Sequence, residues 1–471
     1  MRTLAAEVRF SNGRPVRMLL LLGDAPRAEP APEEIHMSRP SARLRWIQYG
    51  VVAQISVICL INYMDRTTLA IANPAIRHDM GLSLSQMGLL LGAFPLTYAL
   101  SQLPLGPIID RLGSRLLLGA GLAVWSLALG VAALAGSAVQ LLVCRVMLGV
   151  GEGPTIPSCT KVVRRWFNVR ERGRPVGVFT GANHLGQAIA APVLTIMMVA
   201  MGWRWMFATM GILGFICVIV WFATYRDPDD ADLSESNRTH LAEADTMHNA
   251  PPMNFAQWRG LFGFRTSWGL WLGVFGSGYM SGIYAAWVPS YLQIERHLSI
   301  GQAGMATAIP FTLAVVGSLF AGWAADALQK RGVSALNSGR VVFVAGLLGM
   351  AGFSVLTALA AGVVLAVVWL CTATFFSQLS GSCSWVAANA AVPENCVGSF
   401  GGVMNCFGYV GGAIAPVVTG LAVDVTGSFV MPLVVGATIS LVAAVIYWFL
   451  PRGPIRAEDI SARTQMAFGQ G

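Results

Sequence analysis

Four side chains of this chain sit where their charge is expensive. Asp65 and Arg66 are neighbours within Trp46 to Ile76, a stretch that carries no other charge and is apolar enough to lie in a bilayer. Arg145 and Glu152 sit in a second apolar stretch, 139–162. An ionised side chain in a bilayer interior costs at least ~2.5 kcal/mol, so each of the four needs a partner, a water-filled cavity or a function. Successive helical residues point about 100° apart, so Asp65 and Arg66 are expected to serve different partners. Residues seven apart share a face, which puts Arg145 and Glu152 on one side of their helix and ~10 Å apart along its axis.

The residue types divide the chemistry. A carboxyl group in low-dielectric surroundings exchanges protons nearer neutral pH than it does in water, which makes Asp65 and Glu152 the candidate proton carriers. Arginine stays charged and offers a planar fork of donors to a carboxylate or phosphate. Arg66 is therefore the candidate anion-binding group, with Tyr63 beside it, and Arg145 is expected to pair with deprotonated Glu152.

The elements that must position these groups are membrane spans. With 55% hydrophobic and 11% charged residues, the chain reads as an all-α polytopic membrane protein. Apolar windows give twelve spans, near 46–76, 86–109, 115–136, 139–162, 174–200, 203–225, 267–294, 301–327, 340–360, 362–390, 397–425 and 428–450. Residues 226–266 hold seven acids, four arginines and Pro251-Pro252, and they read as a cytoplasmic linker between an N-terminal bundle (46–225) and a C-terminal one (267–450). Residues 1–45 read as a disordered tail with Met37 a candidate initiator, and 451–471 as a C-terminal tail. The net charge of +8 comes from bases in short loops, which is a matter of membrane orientation rather than nucleic-acid binding. The outer loops keep only Arg77, Arg204 and Arg296, so both termini are expected on the cytoplasmic side of an inner (plasma) membrane. The eight cysteines fall in spans or, for Cys396, at the edge of one, without CxxC spacing, and read as small buried hydrophobes.

The halves repeat. Gly106, Asp110, Arg111, Gly113 and Arg115 form a GxxxDRxGxR motif between spans two and three, and Gly322 and Asp326 recur 216 residues later with Lys330-Arg331-Gly332 following. Gly177 and Gly181 of span five match Gly398 and Gly402 of span eleven, 221 residues on. Two parallel six-helix repeats suit a carrier that rocks around a central site. The motif's glycines allow close approach, its acid can cap a helix, and its arginines can hold helix ends in one state. The positions 216 to 221 beyond the four intramembrane charges hold no charged residue, so the repeat survives without them and a functional role is expected for them.

This layout resembles the major facilitator superfamily over essentially the whole chain after residue 45. Within it, Asn62-Tyr63-Met64-Asp65-Arg66, the run from Arg145 to Glu152 with Pro154 and Pro157, Trp166-Phe167 and Glu171-Arg172-Gly173 resemble the anion:cation symporter family, whose bacterial members include galactonate, glucarate and hexuronate transporters. The resemblance implies the same roles for Asp65, Arg66, Arg145 and Glu152, places Tyr98 and Asn405 at the substrate, and implies a fold of two pseudo-symmetric six-helix bundles. Asn183 stands where a galactonate transporter is expected to have glutamine, His184 has no family counterpart, and Asn168 replaces a common proline.

Helical spacing supplies the remaining candidates for a substrate cavity. Gln378, Ser382, Trp385 and Asn389 form one polar and aromatic stripe. Tyr284, Trp287 and Tyr291 make a ridge on span seven, as do Phe94, Tyr98 and Gln102 on span two and Asn405 with Tyr409 on span eleven; span five adds Asn183, His184 and Gln187. Trp287 and Tyr291 equally suit an interfacial anchor. Gly181 to Pro192 lacks the GPxxGG-like cluster of drug antiporters, and no nucleophile pair, metal-ligand spacing or phosphate loop suggests an enzyme, metal or cofactor. The expected partners are a small organic anion, a proton and the lipid bilayer, for a monomer. A hydroxylated sugar acid fits the polar stripes; an aromatic or other mono- or dicarboxylate, or an anion sensor that does not transport, are the alternatives.

Overall fold

The computed structural model describes residues 4–9, 15–20, 41–102, 104–168, 171–231, 233–242 and 255–460; for 4–9, 15–20, 106, 107, 110, 242 and 394 it describes the backbone alone. Helices dominate: α1 (Ala42–Met80), α2 (Leu84–Gln102), α3 (Leu105–Ala132), α4 (Ala138–Glu152), α5 (Thr155–Trp166), α6 (Gly173–Thr224), α7 (Glu235–Ala242), α8 (Phe255–Gly260), α9 (Arg265–Ile294), α10 (Ile300–Lys330), α11 (Ala335–Ala358), α12 (Val363–Ala391), α13 (Val397–Thr426) and α14 (Val430–Phe449). Ten helical stretches among the described residues are long and apolar enough to cross a membrane, α4 and α5 together forming one of them. The 52 residues of α6 exceed any single crossing. They break at Gly202, whose φ of 78° only glycine adopts freely, and so make two crossings. The 30-residue α9 is less apolar but packs against α12, α13 and α14, which brings the crossings to twelve.

Segments outside the two expected bundles also carry structure. Within the tail expected to be disordered, β1 (Leu4–Arg9) pairs antiparallel with β2 (Pro15–Leu20); the rest of that expectation, residues 10–14 and 21–40 among it, lies outside the described residues. The linker contains helices α7 and α8, and α7 docks on the first half: Ser41 N donates to Asn237 Oδ1 (3.2 Å), Asn237 Nδ2 to Ser41 Oγ (2.9 Å) and Asn168 Nδ2 to the His240 carbonyl (3.2 Å). The start of the C-terminal tail is seated too, with Ile455 N donating to Ala391 O at 2.7 Å and Ile455 and Ile460 buried.

The GxxxD motif is not an open turn. Proline tolerates the first turn of a helix, and after Pro104 the helix resumes at Leu105, so Gly106 to Arg111 are helical and the break falls at Gly113 (φ 76°). Arg115 donates to Phe222 O (2.9 Å) and accepts at its own carbonyl from Trp221 Nε1 (2.9 Å), which fastens α3 to α6 inside one half. Arg111 is exposed, and the side chain of Asp110 lies outside the described residues. Gly322 and Asp326 lie in the continuous helix α10, both exposed.

The first half (α1–α6) meets the second (α9–α14) where α2 packs on α13, α6 on α10 and α1 on α9. The contact is tightest at the end opposite the termini. A Cβ on Gly88 would lie 2.5 Å from Pro416 O, and one on Gly420 would lie 2.4 Å from Leu84 O. Asp424 of α13 caps α2 from across the seam, accepting from Leu84 N (3.1 Å), Ser85 N (2.7 Å) and the Ser85 hydroxyl. Toward the termini the halves part: no atom lies within 4 Å of a Cβ built on Gly177, Gly181, Gly398 or Gly402. Removing the cap with Asp424→Ala should loosen the closed end. Losing a cap costs about 0.5–2 kcal/mol, so a cysteine at Val417, facing Gly88, is expected to react with an impermeant maleimide about twofold to thirtyfold faster. An unchanged rate would show that the cap does not hold the seam.

Candidate functional site

The antiparallel packing of α1 against span four (α4 and α5) builds the site. Arg66 Nε donates to Glu152 Oε2 at 2.8 Å, and seven residues back along α1 and seven on along span four Cys59 and Cys159 meet with sulfurs 3.8 Å apart. The two contacts fix the register between the helices. Both acids are fully buried and Arg145 is 5% exposed.

Arg66 has a different partner from the one its type alone suggested. The sequence reading paired Glu152 with Arg145; the structure pairs Glu152 with Arg66. Arg145 lies two turns along α4, and its Nη2 donates instead to Thr68 Oγ1 (3.3 Å), with its guanidinium 5.8 Å from the Phe207 ring. Sharing a helix face is not contact: seven residues of rise keep the two side chains apart, while α1 delivers Arg66 at the level of Glu152.

The Arg66 guanidinium is enclosed by aromatic rings. Tyr63 (4.6 Å), Tyr98 (4.7 Å) and Phe94 (5.3 Å) surround it, contacts that contribute about 0.5–2 kcal/mol each when desolvated. Its Nη1 donates to Tyr409 Oη at 3.1 Å, so a hydroxyl of the second half touches an arginine of the first. Tyr98 and Tyr409 meet across the same seam with ring centres 4.5 Å apart and planes tilted by 48°. Nearby, Asn405 Nδ2 donates to Gln102 Oε1 at 2.9 Å.

Several buried polar atoms here have no hydrogen-bond partner: Arg66 Nη2, Glu152 Oε1, both oxygens of Asp65 and both amide atoms of Asn62. Trp125 stands beside Asp65 and Asn62 beside Glu152, each close enough to interact without a closed hydrogen bond. Unsatisfied buried groups cost about 1–3 kcal/mol each, and such a concentration at one point marks a place where stability yields to function.

The other expected residues lie elsewhere. Asn183 (buried, its Oδ1 unpartnered) and Gln187 (half-buried) flank Gly186, where α6 presses on α1 at Leu60, nearer the termini than Arg66. His184 Nδ1 is also without a partner. On α12, Gln378 and Ser382 are half-buried while Trp385 and Asn389 are exposed, so the stripe opens toward the termini; Ser382 shares a hydrogen bond with Ser318 (2.9 Å), and Trp385 lies against Gly401. Tyr284 does not join the site. It is 3% exposed and hydrogen-bonds Ser354 of α11 inside the second half. Trp287 donates to Pro416 O (3.2 Å) and Tyr291 to Thr357 O (3.1 Å), both structural contacts. Sequence reasoning missed Trp125 and Phe207, which sit in apolar runs without a distinguishing pattern. Thr68 was within reach of it, three residues beyond Asp65 on the same helix.

Comparison with known proteins finds matching sequences and folds. The family description of the Major Facilitator Superfamily matches residues 55–416 and again 270–467. A probable L-galactonate transporter of Escherichia coli K12 is 36% identical over 415 residues, 88% of this chain and 92% of that protein. A hexuronate transporter of Bacillus subtilis 168 is 34% identical over 376 residues, 79% and 86% of the two chains. Among solved structures, a bacterial homologue of the human lysosomal transporter Spinster, inward-facing and occupied, superposes with a TM-score of 0.72 at 17% identity, covering 86% of this chain and 97% of its own, a likeness of fold.

Proposed function

The chain belongs to the Major Facilitator Superfamily, and from that premise we propose that it imports a sugar acid of the hexonate, hexarate or hexuronate type together with protons. That it is a multi-pass membrane transporter follows from the family and the relatives; the substrate, the coupling and the residue roles are our reading. One observation carries it: Arg66 is tied at the same time to Glu152 of its own half and to Tyr409 of the other.

An anion and Glu152 compete for one guanidinium. While Glu152 is ionised it satisfies Arg66 Nε, and a substrate carboxylate gains little by displacing it. A proton on Glu152 removes that competitor and leaves Arg66 to the carboxylate, a charge-assisted and geometrically matched partner. Proton and anion then favour each other's binding, which is the thermodynamic content of symport. Asp65, without a hydrogen-bond partner, is the second proton acceptor, and Arg145 supplies a positive charge from its place at Thr68, three residues beyond Asp65. Tyr409 and the Asn405–Gln102 pair make the seam sensitive to the state of Arg66.

The enclosure of Arg66 favours a hydroxylated over an aromatic acid. Tyr63, Phe94 and Tyr98 already lie on the guanidinium, so these rings are not free to stack on a ligand. Gln378, Ser382, Asn183 and Gln187 then supply hydrogen bonds to hydroxyl groups. With both termini cytoplasmic, the parted end opens to the cytoplasm and the described conformation is the one that releases substrate.

The test is uptake of a labelled sugar-acid panel, with aromatic acids alongside, into proteoliposomes under an imposed inward proton gradient, with and without a protonophore. Gradient-dependent accumulation of one sugar acid is expected. Equilibration indifferent to the gradient would refute proton coupling, and accumulation of an aromatic acid alone would refute the substrate class. Binding without uptake would identify a sensor.

A further inference from the structure

On the face that carries the termini, away from Arg66, a cavity of about 690 Å³ gathers cations from two distant segments of chain. Lys161, Arg164 and Arg165 reach it from α5, and Arg238 faces them from α7 in the linker. Arg165 is neutralised by Asp227 (2.9 Å) and Asp229. Lys161 Nζ donates to the Ile109 carbonyl at 2.8 Å. Arg164 and Arg238 are exposed, and neither forms an ion pair with a carboxylate among the described residues.

The convergence is built by the fold. The paired contacts between Asn237 and Ser41, the bond from Asn168 to the His240 carbonyl and the approach of His240 Nε2 to Glu171 Oε2 (3.8 Å) hold α7 against the first half. Docking α7 in this way brings Arg238, one residue from Asn237, to the lining of the same cavity as Arg164. Four cations line the cavity against one carboxylate, Asp229, which Arg165 already engages, so its potential is positive and suits an anion. Guanidinium forks match the oxygens of a phosphate.

We propose that this cavity binds a phosphate group through Arg164 and Arg238, with Lys161 alongside, so that the bound anion bridges the linker helix to span four. The chemistry is shared by an anionic lipid headgroup at the membrane surface and by free phosphate. The site is independent of Arg66 and of the transported substrate.

The experiment uses the full-length protein purified in neutral detergent, with phosphatidylglycerol, phosphatidylcholine and inorganic phosphate as separate probes. Retention of lipid is read by native mass spectrometry and stabilisation by the shift in thermal midpoint. Phosphatidylglycerol is expected to be retained in preference to phosphatidylcholine, with about a tenfold loss in an Arg164→Gln/Arg238→Gln protein, since each arginine contributes a charge-assisted hydrogen bond. Arg259→Gln, a basic residue outside the cavity, should bind as wild type does. Stabilisation by inorganic phosphate alone, lost in the same double variant, would assign the site to free phosphate. Binding of both probes that is equal in wild type and double variant, or binding of neither, would overturn the proposal. Arg238→Lys, which keeps the charge but not the fork, should retain part of the affinity; full loss of folding in the double variant would leave this milder change to decide the point.

Discussion

Arg66→Ala is expected to reduce concentrative uptake at least ~100-fold, to the level of vesicles without the protein. Two losses combine. The substrate loses its charged fork, and Glu152, fully buried, loses its ion-pair partner. Breaking a buried pair from one side costs about 3–5 kcal/mol, and each 1.4 kcal/mol is a factor of ten in an equilibrium. Arg66→Lys keeps the charge but not the geometry that serves Glu152 Oε2 and Tyr409 Oη together, so it is expected to lose about tenfold. Initial uptake rates in proteoliposomes, normalised to monodisperse protein, measure both. Accumulation by Arg66→Ala close to wild type would remove the central contact of the proposed mechanism.

Glu152→Gln separates binding from coupling. The amide keeps the side chain's size and an oxygen that accepts from Arg66, but it neither carries a proton nor competes as an anion. Counterflow, in which labelled substrate exchanges against unlabelled, should continue at a rate within a few-fold of wild type. The accumulation ratio under an imposed proton gradient should collapse to about one, because no proton is obliged to travel with the anion. Asp65→Asn is the necessary companion. If accumulation survives Glu152→Gln but disappears in Asp65→Asn, the coupling proton belongs to Asp65, and Glu152 serves only to hold Arg66.

The two results bear on different links of the chain of causes. Arg66 tests whether a buried cation organises the anion site; Glu152 tests whether its partner is what couples that site to protons. The aromatic enclosure of Tyr63, Phe94 and Tyr98 sharpens both, since a guanidinium held on several sides has little freedom to find a substitute partner.

Much of this was legible in the order of residues. Runs of apolar side chains longer than a bilayer is thick, punctuated by glycine, proline and charge, determine how many times the chain crosses, and the repeat of Gly106 and Asp110 at Gly322 and Asp326 shows that it crosses in two equivalent halves. Charge in an apolar run also announces itself, because a solvent that penalises ions leaves few of them without a purpose. For that reason Asp65, Arg66, Arg145 and Glu152 stand out without any structure. The tertiary structure decided who meets whom. Arg145 and Glu152 share a helix face, yet antiparallel packing of α1 on span four hands Glu152 to Arg66 and leaves Arg145 to Thr68. Tyr284 has the aromatic spacing of a cavity ridge but turns into the core of its own half to meet Ser354, while Tyr409 reaches Arg66 across the seam. Spacing along a helix limits which residues share a face. Which neighbour that face meets depends on how remote helices dock, a global minimum of packing that no local pattern encodes.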